Sequence, residues 1–141
     1  MFLLDVNVLI ALADADHQQH HAAAVFFQKV LLTGWATCPL TENGFLRIFG
    51  HPNYEGGAGT TDQARFILKT FRECPGHQFW PDGLSLCELS KFPVLPASKH
   101  LTDYYLLALA LEKGGRLASF DRRIDPGLLP GGRSAYSIID S

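Results

Sequence analysis

Residues 1–13 read MFLLDVNVLIALA: an apolar run is broken by one carboxylate, Asp5, with Asn7 two positions on and more apolar residues behind it. "FLLD" has the unbroken apolar character of a short strand buried on both faces, the kind found in a parallel sheet covered by helices. Asn7 to about Ala13 has the pattern of a short helix. A charge at such a junction is costly unless something positive holds it. The rest of the chain has to supply the reason for Asp5.

Outward from this stretch, helix and strand patterns alternate. "DADHQQHHAAAVFFQKVLLTG" predicts a second, longer helix with Asp16 as N-cap and Gly34 as its stop. "WATCP" predicts a strand ended by Pro39, and "LTENGFLRIFG" a helix despite Gly44. "HPNYEGGAGT" reads as a loop. "TTDQARFILKTFREC" reads as an amphipathic helix with Ala64, Ile67, Leu68 and Phe71 on one face. "HQFWP" is a strand candidate, and a short helix is expected in the first half of Asp82–Ser98. "LTDYYLLALALEKGG" is apolar nearly all round, so it should be a central buried helix stopped by Gly114 and Gly115. "RLASFD" and "YSII" complete the strands. This alternation predicts an α/β fold: one domain over residues 1–141, a mainly parallel sheet and helices on both of its faces.

Composition is consistent with that. With 141 residues, 47% hydrophobic and 18% charged, the chain suits one well-filled core. A net charge of −2 requires any nucleic-acid footprint to be local. Cys38, Cys74 and Cys87 have neither CxxC nor zinc spacing and are expected to be mostly buried thiols in a reducing cytosol. "MFLLD" lacks the basic start of a signal peptide, and no apolar run reaches the length of a membrane span. The expected setting is soluble and cytoplasmic.

Asp5 ends one strand and Asp121 follows another, and in an open parallel sheet ligands sit outside the C-terminal strand ends. Asp103 lies in the first turn of its helix on the face of Leu106, Leu107 and Ala110. Glu42 lies in the first turn of its own, on the face of Phe45, Leu46 and Phe49. Both helices should start at the rim where the strands finish, so Asp5, Glu42, Asp103 and Asp121 are expected to converge. Singly, each acid has a plain structural role open to it, as N-cap, dipole partner or turn residue. Together, four carboxylates repel and call for a counter-charge. Oxygen ligands without Cys or His suit Mg²⁺ or Mn²⁺, and the chemistry best served is metal-assisted phosphodiester hydrolysis.

Other residues compete for attention. His17, His20 and His21 stand at helical spacings able to bind a transition metal, though a solvated first turn explains them better because no fourth ligand is evident. They also raise a metal-free route through a histidine acid–base pair, open to a substrate with a 2′-hydroxyl beside the scissile phosphate. Arg47, Lys99, His100, Arg122 and Arg123 lie near the acids in sequence and are candidate grips for the phosphates of a nucleic-acid substrate, Arg122 and Arg123 above all. Leu9, Leu12, Phe45, Leu46 and Phe49 belong to the core or line a groove for a partner helix.

"LLDVNVLIAL", "TENGFLRI", "LTDYYLLALA" and "LASFD", in this order and spacing, resemble the PIN-domain ribonucleases, and among them the VapC toxins of bacterial toxin–antitoxin modules. The resemblance covers most of the chain. It implies a three-layer α/β/α sandwich, a divalent-metal site, endonucleolytic cleavage of structured RNA, a homodimer and inhibition by a VapB-type antitoxin. Asp5, Glu42, Asp103 and Asp121 match the family's acidic positions, which are both catalytic and metal-binding. Asn7 and Ser119 match supporting polar positions that orient a carboxylate or a water. Asp125 precedes a proline and reads as a turn residue. A haloacid-dehalogenase-type phosphatase also opens on a strand ending in Asp, but it wants a second Asp where Asn7 stands. A non-catalytic PIN-like RNA- or protein-binding module would show an incomplete acidic set.

Overall fold

The computed structural model describes residues 1–140. Its centre is a five-stranded sheet in the order β3-β2-β1-β4-β5, with β1 Phe2–Leu4, β2 Trp35–Thr37, β3 His77–Phe79, β4 Arg116–Ser119 and β5 Tyr136–Ile138. Every strand pair is parallel, with Leu3 opposite Ala36 on one side and Leu117 on the other. Alternate residues of β1 feed two cores. Leu3 packs with α5 (Leu101–Glu112) and α6 (Gly132–Ala135), and Leu4 with α1 (Val6–Ala13), α2 (His20–Thr33), α3 (Pro39–Phe49) and α4 (Thr61–Arg72). This is the expected three-layer sandwich. α5 is buried from Tyr104 to Ala110, which explains its apolar circumference.

Several boundaries differ from expectation for local reasons. α2 does not start at Asp16. The Asp14 carboxylate accepts from the Asp16 amide (3.0 Å) and the His17 ring from the Gln19 amide (3.0 Å), and these bonds hold the backbone in turns until His20. His17 therefore lies outside the helix and the three histidines share no helical face. Pro39 opens α3 instead of merely closing β2, because its missing N–H costs nothing at a first helical position. Residues 82–97 hold no helix. The Ser85 hydroxyl accepts the Cys87 amide (3.1 Å), prolines punctuate the stretch, and Phe92, 1% exposed, pins it to the core of α5. Cys38 is buried, but Cys74 is only partly covered and Cys87 is exposed. Leu9, Phe45 and Phe49 are core residues, with Leu12 and Leu46 partly buried beside them.

Gly44 marks where α3 crosses α1. A Cβ there would stand 2.7 Å from a methyl of Val6, itself stiff because it is β-branched. Gly44→Val should destabilise the fold by about 2 kcal/mol despite better helix propensity, measured as a lower midpoint in denaturant unfolding.

Candidate active site

The strand order changes direction at β1, which has β2 and then β3 on one side and β4 and then β5 on the other. Crevices open at the C-terminal strand ends beside such a switch point. Asp5 stands there, immediately after β1, and also serves as the N-cap of α1: its Oδ1 accepts the Val6 amide (2.7 Å). Capping and candidate function therefore coincide in one side chain. The other carboxylate oxygen accepts the Ser119 hydroxyl (2.7 Å) from the end of β4. Ser119 Oγ in turn accepts the Asn7 amide group (3.0 Å) and the Asp121 backbone N–H (3.1 Å). Asn7 Oδ1 accepts the Phe120 N–H at 3.3 Å. Asn7 and Ser119 thus tie the start of α1 to the end of β4 around Asp5.

Asp5 is only 4% exposed, and no cation among the described residues pairs with it. Burial is the main force raising its pKa, opposed by the Ser119 and Val6 hydrogen bonds and reinforced by the charge of Asp121. Asp103, half-buried in the first turn of α5, is pushed up to about 7, first by burial, then by Asp5 and Asp121, with Arg123 opposing. Asp121 goes the other way, because the Arg123 guanidinium grips it at 3.1 and 3.2 Å. Three aspartates therefore sense one another across the crevice with one arginine among them.

Glu42 is placed differently. Its carboxylate accepts the Thr37 hydroxyl at the end of β2 (2.6 Å) and pairs with Arg72 of α4 (3.3 Å). Since the Thr37 proton goes to Glu42, the His77 ring 2.8 Å away must donate its Nε2–H to Thr37 Oγ. Burial, aided by Arg72, holds His77 neutral with a pKa near 4. Spacing along the chain puts Glu42 on the same rim as the aspartates. It does not show that an arginine thirty residues away answers its charge.

Of the candidate RNA grips, Arg122 and Arg123 line a hollow of about 410 Å³ with Asn7, Gln19 and Asp121. Arg122 also pairs with Asp140 (2.5 Å). Arg47 and Lys99 are exposed, on α3 and just before α5 respectively. Asp125 caps a short turn through the Gly127 amide, as its proline suggests. Tyr136, on β5, escaped notice in the sequence: its hydroxyl donates to the Asp121 carbonyl. Its pKa is raised to about 12, mostly by burial and then, against the Ser119 hydrogen bond, by the charges of Asp5, Asp121 and Asp103. The phenol therefore stays protonated beside the acids. An aromatic residue in an edge strand carries no signal that could have singled it out.

The donor set, carboxylate oxygens with hydroxyl and amide support, is hard and suits Mg²⁺ or Mn²⁺. Among the described residues no three acids or histidines already close on one point. Mg²⁺ needs only one or two carboxylates beside waters and phosphate oxygens, so the residues present fit it. The folded protein without metal holds a proton on Asp103 between its ordinary pKa of 3.8 and about 7, where the unfolded chain has lost it. Folding stability contributed by this group should thus fall as pH rises through that window. Asp103→Asn should flatten the decline, read as the melting temperature against pH in EDTA.

No family model matches the chain. Curated relatives do. Ribonuclease VapC38 of Mycobacterium tuberculosis is 40% identical over 121 residues, 86% of this chain and 85% of its own. Ribonuclease VapC44 of the same species is 37% identical over 131 residues, 92% of each chain, and Ribonuclease VapC39 is 41% identical over 121 residues, 84% of this chain and 87% of its own. With such identity running through most of both partners, and with the parallel sheet and acidic crevice described above, this chain belongs to the VapC family of PIN-domain ribonucleases.

Proposed function

We propose that the crevice between β1 and β4 binds Mg²⁺ or Mn²⁺ through Asp5, Asp103 and Asp121, and that the chain is an endoribonuclease acting there on structured cellular RNA. The observation that carries this reading is the charge imbalance: three aspartates gathered with one arginine, Asp103 pushed up to about 7 by its burial first and by Asp5 and Asp121 next. A dication bound there supplies Lewis acidity to a water and to the scissile phosphate. The chain's own residues do the rest. Ser119 and Asn7 fix the Asp5 carboxylate, Tyr136 holds the backbone of Asp121, and Arg122 and Arg123 face the hollow through which flanking phosphates approach. Glu42 belongs to the same rim, with Arg72 occupying its carboxylate until substrate or metal competes for it.

The names of the relatives support the VapC ribonuclease reading, and we extend it to a toxin neutralised by a VapB-type antitoxin, acting in the cytoplasm as a homodimer of single-domain subunits. No helix among the described residues is long and apolar enough to cross a membrane.

The test is cleavage of total cellular RNA in Mn²⁺. The expected products carry 5′-phosphate and 3′-hydroxyl ends, and EDTA stops the reaction. Asp5→Asn should slow it about 1,000-fold, the loss expected when several kcal/mol of charge stabilisation is removed, and should abolish toxicity on expression. Cyclic 2′,3′-phosphate ends or full activity in EDTA would overturn the metal mechanism. An Asp5→Asn protein as toxic as the wild type would make the chain a binding module.

A further inference from the structure

Outside the aspartate crevice, the least ordinary surface is on α4. Arg65, Lys69 and Arg72 are spaced four and three residues apart, which puts them on one face of the helix. All three line a cleft of about 480 Å³ whose floor includes Leu46 and Leu68. Phe66, 69% exposed, projects beside Arg65 and Lys69 over an adjoining hollow of about 450 Å³. Phe79, 42% exposed at the end of β3, carries the Arg72 guanidinium on its ring at 5.3 Å.

The cations are open to a ligand to different degrees. Lys69 has no carboxylate partner among the described residues. Arg65 pairs only with Asp62, and both side chains are mostly exposed, so a phosphate can replace that partner at little cost. Arg72 is already ordered by Glu42 and Phe79. Glu42 and Glu73 edge the cleft, which keeps it from being a general polyanion sink.

Cations interleaved with exposed rings match one class of ligand well: a strand whose phosphates meet the charges and whose unpaired bases meet the rings. Paired bases hide their faces in the stack and leave the rings uncovered. We propose that the α4 face bearing Arg65, Phe66, Lys69 and Arg72, with Phe79 beside it, is a docking platform for an unpaired stretch of the RNA substrate. It rests on the reading of the chain as an RNA-cleaving enzyme and extends it: Glu42, at the edge of the cleft and on the first turn of α3, connects platform and crevice.

The experiment uses the full chain in EDTA and a fluorescein-labelled oligouridylate of about 12 nucleotides, titrated by anisotropy from about 50 to 200 mM salt. Arg65→Gln with Lys69→Gln should weaken binding about tenfold and reduce the salt slope by about 1.4, two single-strand phosphate contacts. Phe66→Ala should weaken it about fivefold with the slope unchanged. Arg116→Gln, at the start of β4 and separated from β3 by two strands of the sheet, should bind like the wild type. Three results would overturn the platform: α4 variants that bind normally, a duplex of equal length bound as tightly as the single strand, or Phe66→Ala changing only the sedimentation of the protein, which would assign the ring to a contact between protein molecules. Cleavage of total RNA in Mn²⁺ runs in parallel. A wild type that cleaves while α4 variants bind normally loses the platform alone, whereas a wild type that binds through α4 and cleaves nothing loses the enzyme reading alone.

Discussion

The Asp5 carboxylate is buried where β1 ends, and the rest of the site is arranged around that fact. Removing a carboxylate from water costs several kcal/mol even after the protein relaxes. Two hydrogen bonds, from Val6 and Ser119, recover part of it, and no ion pair among the described residues recovers the remainder. An acid held in this way attracts cations more strongly than one in water, because the low-dielectric walls strengthen every charge interaction. Asp103 and Asp121 add to the field. The crevice is a stored electrostatic imbalance, kept in place by a sheet packed between two apolar cores.

Charge is handled in two ways along the same rim. On the β1–β4 side, aspartates outnumber cations and pKa values move apart, Asp103 up and Asp121 down. On the β2–β3 side, Glu42 is answered in full by Thr37 and Arg72, and His77 is kept neutral by burial and by that same arginine. The first side is built to receive positive charge, and the second already contains it. A polyanion lying across both would find its phosphates drawn to α4 and its scissile bond brought to the acids.

The legible part of the chain was what local pattern controls. The apolar runs marked the strands, the glycines at 114 and 115 marked the end of α5, and the acids stood at strand ends and first turns where a parallel sheet gathers them. What stayed hidden depends on through-space partners or on side-chain competition with the backbone. Asp14 and His17 divert residues before His20 into turns, and the prolines with Ser85 deny a helix to 82–97. Arg72 reaches Glu42 only because α4 packs against α3, and Tyr136 reaches Asp121 only because β5 lies next to β4. No spacing rule along one chain carries that information.

The hydrogen bond between Asp5 and Ser119 joins residues 114 positions apart. β1 is synthesised more than a hundred residues before its neighbour β4, and such long-range parallel pairing is slow to form. The nascent chain therefore carries its earliest acid without the strand that encloses it. The enclosure of Asp5 is therefore a late event of folding, since it waits for β4 to be made and to find β1.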